Sequence, residues 1–129
     1  CASPDYLREY GVPPSPEALS QHRAVHYFSG QARRADEFRF VRHGETFSVP
    51  VSGNAAVNET GLYIKMCLAG FGLAQLAENI VADHLQEGRL VEVLTDWQPP
   101  PVPVTLLYPH QRFLSPAVRA FAEWMSEVV

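Results

Sequence analysis

Apolar positions along this chain follow two rhythms, short solid runs and longer stretches at helical spacing. They alternate most regularly between Gly53 and Leu94, where the pattern predicts strand, helix, strand, helix, strand within 42 residues. Asn54 to Val57 is the first strand, and Asn58 is placed to cap a helix through Ala69, with Glu59 in its first turn. The turn Gly70-Phe71-Gly72 leads into a buried strand over Leu73 to Leu76. Glu78 to Leu85 reads as a helix closed by Gly88, and Leu90 to Leu94 as the last strand. A compact alternating unit of this kind builds a parallel sheet flanked by helices.

Upstream, Ser3-Pro4 pairs a capping hydroxyl with proline at the first helical position, which predicts a helix to Tyr10 ended by Gly11. Ser15-Pro16-Glu17 repeats the signal for a short helical turn through Ser20. Arg23 to Phe28 is strand-like, and Ser29 to Asp36 reads as a polar loop. Phe38 to Val41 and Thr46 to Val49 flank His43-Gly44-Glu45 and predict a hairpin, with Pro50 setting its second strand at an edge. Downstream come a Pro-rich connector from Asp96 to Pro101, a strand over Pro103 to Tyr108, and a final helix opened by Ser115-Pro116. Its apolar positions, Val118, Phe121, Ala122, Met125 and Val128, share one face.

Composition narrows this picture. The 129 residues suit about one domain, and 47% apolar against 19% charged residues describe a globular chain. No apolar run approaches the roughly 20 residues that span a bilayer. No export signal precedes the fold, so a cytoplasmic protein without membrane contact is expected. The net charge is −4, and the basic residues are nine Arg and Lys65, scattered rather than gathered into a patch. Direct contact with DNA by this chain is not expected. Cys1 and Cys67 show no metal or redox spacing. The opening Cys-Ala-Ser-Pro reads as a strand end followed at once by a helix, as though numbering starts inside a larger protein.

Candidate chemistry is sparse. Arg42-His43-Gly44-Glu45-Thr46 spells the signature of the histidine phosphatases, in which His accepts a phosphoryl group held by Arg. The late histidines, His84 and His110, carry none of the companion pattern, and a His-Gly pair also suits a hairpin tip. Asp83-His84 reads as a solvated helix face. The serines show no nucleophile elbow and no carboxylate pair stands out, so neither catalytic residues, metal nor cofactor is expected. Gly70-Phe71-Gly72 follows a helix instead of opening one, which fails a dinucleotide fingerprint. Tyr27-Phe28-Ser29, at the carboxyl end of a strand, is the better site candidate, because ligands of open α/β sheets gather there.

Taken together, ASPDYLREYGVPPSPEAL, HRAVHYF, the Gly53–Leu94 segment and PVTLLYPHQRFLSPAVRAFAEWM resemble the effector-binding domain of bacterial LysR-type transcriptional regulators. The resemblance implies an α/β, type 2 periplasmic-binding-protein-like fold, with two lobes joined by crossing strands and a small effector between them. Residues 1–101 would be the second lobe, a mixed, mostly parallel sheet flanked by helices. Residues 102–129 would supply the return crossing strand and C-terminal helix of the first lobe. The winged helix-turn-helix and most of the first lobe lie outside this sequence, so DNA would be reached only through another domain. Ala77 stands where the family commonly has Pro.

By the same resemblance, effector contacts fall to Tyr27, Phe28 and Ser29 and to Gly70 and Phe71. The Asn58 helix start favours an anion, and Ala2 and Ser3 act as hinge. Phe28 and Phe71 would form apolar walls, with Ser29 supplying a hydroxyl, which suits a small acid or aromatic effector. The expected protein is a homo-oligomeric sensor and not an enzyme. Its rivals are a solute-binding protein of related fold, the phosphatase read from Arg42-His43-Gly44, and a pure dimerisation module. The apolar face of the final helix, with Phe121 and Met125, is expected to pack on another chain, on the rest of the first lobe, or back on its own lobe.

Overall fold

The computed structural model describes residues 1–28, 37–103, 105–107 and 115–128. Helix α1 (Pro4–Tyr10) and a 3₁₀ turn (Pro16–Gln21) precede strand β1 (Arg23–Tyr27). Strands β2 (Phe38–Arg42), β3 (Glu45–Val49) and β4 (Ser52–Val57) follow, then helices α2 (Thr60–Leu68), α3 (Glu78–Gln86) and α4 (Pro116–Val128).

The central sheet is mixed. β1 and β4 run parallel, with a bulge where Val25 pairs with Ala55 instead of Asn54. On the other side of β1, the extended segment at Leu73 is joined by a parallel bridge to Ala24. Cys1 and Ala74 then exchange both backbone hydrogen bonds at 2.9 Å, as do Ala2 and Val91 at 3.1 and 2.8 Å, the pattern of antiparallel pairs. The order is therefore β4, β1, the Leu73 segment, the opening residues, and the Val91 segment, and the opening residues alone run against the rest. The strands expected over Leu73–Leu76 and Leu90–Leu94 are thus present as single bridges instead of full ladders.

Successive residues alternate between two apolar layers. Ala24 and Leu73 join Tyr6, Leu19, Phe38 and Phe40 on one face. Val25 and Ala74 join Tyr63, Cys67, Val81 and Leu90 on the other. β2 and β3 form a separate hairpin whose two-residue tip has φ 52° at His43 and 80° at Gly44, as a type I′ turn requires. It is docked on the sheet by Gln75, which grips the backbone of Arg39, and its Val41 N–H donates to Gln98 O at 2.8 Å.

Two expectations fail. The segment read as a strand over Pro103–Tyr108 has no strand at 103 or 105–107. Leu107 stays 86% exposed, because no neighbouring strand lies beside it among the described residues. The helix expected to be capped by Asn58 is capped by Glu59, whose longer side chain reaches the Gly61 and Leu62 amides at 2.7 and 2.6 Å.

Candidate functional site

Because β4, β1 and the Leu73 segment are parallel, their carboxyl ends share one rim, and the amino ends of α2 and α3 open onto it. A concavity of about 460 Å³ lies on that rim, within the few hundred cubic ångströms of small-molecule pockets. Tyr27 reaches it from β1, Thr60 and Tyr63 from α2, Gln75 from the central segment, and Glu37 and Arg39 from the start of the hairpin. A smaller cavity of about 110 Å³ lies nearby, between Phe38, Phe40, Leu73 and Val81 and the returning segment at Leu94 and Trp97.

The wall of the larger concavity is tied together by hydrogen bonds. Gln75 Oε1 accepts from Arg39 N at 3.0 Å, and its Nε2 donates to Arg39 O at 2.8 Å. Its own backbone N–H donates to the Tyr63 hydroxyl at 3.0 Å. The Tyr27 and Tyr63 rings meet at 5.6 Å and 42°, and the Tyr27 hydroxyl donates to Asn58 O at 3.3 Å. Four residues from four parts of the chain therefore form one connected surface.

The residues proposed from sequence divide. Tyr27 lines the rim, Phe28 follows it half-buried, and Asn58 sits beside it, its carbonyl engaged by Tyr27. Ser29 lies outside the described residues. Gly70 and Phe71 are at the opposite, amino end of the Leu73 segment, where a Cβ on Gly70 would lie 3.5 Å from Ser3 Oγ. They are not brought together with Tyr27. Ala2 is wholly buried in its bridge to Val91, and Ser3 Oγ accepts from Tyr6 N at 3.3 Å to cap α1.

Amides that could have favoured an anion at α2 are occupied by Glu59, and this bonding holds its carboxyl below the ordinary range. Sequence reading missed Arg39, Thr60, Tyr63 and Gln75. The one local signal was Gln75, a long polar side chain in an otherwise apolar buried run.

Other chemistry is accounted for. The Arg42 guanidinium bonds the Glu17 carboxylate at 2.7 Å and lies over the Phe47 ring, so it does not serve His43 as a phosphate clamp. That bond holds Glu17 down at about 2. Burial pushes the Cys67 thiol up to about 11, which leaves it a packing group, not a nucleophile. Asp83 is exposed, but His84 is half-buried with Nδ1 out of water, a correction to the solvated face expected there. Among the described residues, no group of three acidic, His or Cys side chains could hold a metal, and no helix is long and apolar enough to cross a membrane.

A mixed sheet with helices on both faces and a cavity at its carboxyl rim is the architecture of the type 2 periplasmic-binding-protein-like fold. The chain belongs to the LysR substrate binding domain family, whose model matches residues 1–129. It is 36% identical over 127 residues to an HTH-type transcriptional repressor of Pseudomonas aeruginosa, covering 98% of this chain and 40% of that protein. It is 33% identical over 129 residues to the uncharacterized HTH-type transcriptional regulator YhjC of Escherichia coli, covering 100% and 43%. The chain thus spans about two fifths of these relatives, which are named as transcriptional regulators and not as enzymes.

Among solved structures, the regulatory domain of AphB from Vibrio vulnificus superposes with a TM-score of 0.73 over 99% of this chain and 62% of that one. At 23% identity that likeness speaks for the fold alone. The full-length virulence activator AphB of Vibrio cholerae, a member of the LTTR family, gives 0.63 at 26% identity over 74% of this chain and 32% of that one.

Proposed function

We propose that this chain is the effector-sensing lobe of a bacterial LysR-type transcriptional regulator, and that the concavity at the carboxyl rim is its half of an interlobe cleft. The observation that carries the reading is the convergence of three parallel strand ends and two helix starts on one cavity of ligand size. Residues 1–101 form this lobe, and 102–129 return toward a first lobe, to which α4 belongs. Tyr27 and Phe28 stand on the effector side.

Ala2 and Ser3, beside the paired crossing segments, serve as hinge. Effector binding shifts the balance between open and closed lobes, and it does so only by preferring one state. That shift is passed to a DNA-binding domain elsewhere in a cytoplasmic homo-oligomer. Gly70 and Phe71 lie too far along the sheet from Tyr27 to share one small ligand with it, so their part is the turn itself.

The test is a fragment screen followed by amide NMR on the 129-residue chain. Hits should cluster their shifts on Thr60, Tyr63 and Gln75, and Tyr63→Ala should abolish them. Hits that map elsewhere, or that ignore Tyr63→Ala, would refute the cleft assignment.

A further inference from the structure

The charges around the cavity narrow what it can hold. Glu37 and Arg39 both line it, and residues two apart in an extended chain face the same way. Arg39 is gripped at its N–H and at its C=O by the Gln75 amide, so the guanidinium arm starts from a fixed point. The Tyr27 and Tyr63 hydroxyls are engaged within the protein, Tyr63 is buried in the core, and the half-buried Tyr27 ring offers the ligand apolar surface. Leu76 and Ile80 extend that surface.

A ligand carrying only a carboxylate would pair with Arg39 but meet Glu37. It would also find the Gly61 and Leu62 amides already taken by Glu59. A ligand carrying only an ammonium would pair with Glu37 and meet Arg39. A molecule with both charges close together satisfies both side chains and leaves no like-charge contact with the described lining residues.

We propose that the cavity takes a small zwitterion of the α-amino-acid class with an apolar or aromatic side chain. Its carboxylate lies on Arg39, its ammonium on Glu37, and its side chain against Tyr27, Leu76 and Ile80. Gln75 is the positioning residue that holds Arg39 over the site. The proposal rests on the cleft reading above and adds the chemistry of the ligand to it.

The experiment is an amide NMR titration of the 129-residue chain with L-phenylalanine, L-leucine, 3-phenylpropionate and phenethylamine. The two amino acids should give saturable shifts at Thr60 and Gln75, and the singly charged analogues should bind about ten-fold more weakly or worse. Arg39→Ala should weaken amino-acid binding by a similar factor, and Arg39→Lys should recover part of it. Glu37→Gln should bring 3-phenylpropionate level with L-phenylalanine, an exchange of preference that a merely structural role would not produce.

Equal binding of 3-phenylpropionate by the unsubstituted chain, or indifference to Arg39→Ala, would overturn the zwitterion and leave the cavity standing as a cleft. Silence from both amino acids overturns the proposal as well. The fragment screen decides separately whether the cavity binds anything.

Discussion

Gly53 and Gly72 are required by close approach. A Cβ on Gly53 would fall 2.3 Å from His26 Cδ2, and one on Gly72 would fall 2.6 Å from Arg23 O with φ at +156°. Both press on backbone, since the Gly53 Cβ would also fall 2.5 Å from Ala24 O, and Gly72 adds its φ of +156°. Gly72→Ala and Gly53→Ala should therefore each cost about 2–3 kcal/mol by chemical denaturation. His22 shows a different constraint. Burial holds its imidazole below the ordinary 6.5, with Nδ1 3.1 Å from the Tyr6 hydroxyl. The unfolded chain takes up that proton first as pH falls, so stability is whole above about pH 6.5 and declines below it. Urea midpoints measured at about pH 7.5 and 5.5 should show the decline, and His22→Gln should flatten its share of it. Tyr6→Phe, which removes bonds to His22 and Arg23, should cost about 1–2 kcal/mol at either pH.

At the scale of elements, stop signals were the most legible part of the sequence. Two of the helices that end in glycine, α2 and α3, close with the same motif. Phe71 N–H returns to Met66 O and Gly70 N–H to Cys67 O after α2, and Arg89 and Gly88 repeat this on His84 and Leu85 after α3. Gly70 has φ 80°, so Gly70→Ala should cost about 1–2 kcal/mol in thermal or urea unfolding. Helix α1 with its Ser3 cap, and the hairpin around His43-Gly44, were readable for the same reason: local backbone geometry names its own residues. Asn58 misled because Asn and Glu stand side by side and only the reach of Glu59 decides between them. The segments at Leu73 and Leu90 were placed correctly but not as ladders, since bridge length depends on neighbours far along the chain. The cavity was half legible. Tyr27 followed from the rule about strand ends, whereas Arg39 reaches the rim only because the hairpin folds back onto Gln75, 36 residues away.

At the scale of the whole molecule, α4 stands apart. Phe121 and Trp124 are 52% and 54% exposed, and no residue of the helix is buried. Of the three coverings expected for this face, folding back on its own lobe is not seen among the described residues. The 129-residue chain should accordingly bind the dye 1-anilinonaphthalene-8-sulfonate, and Phe121→Asp with Trp124→Ser should remove most of that fluorescence. Glu59 has its own consequence for the whole molecule. A carboxylate fixed two and three residues from the amides it fills is a tethered competitor, present at an effective concentration of the order of millimolar or above. A free acid must outcompete it for the start of α2 at every encounter. On the zwitterion proposal Glu59 adds to the selection against plain acids, and Glu59→Gln should relax it, raising the affinity for 3-phenylpropionate more than that for L-phenylalanine.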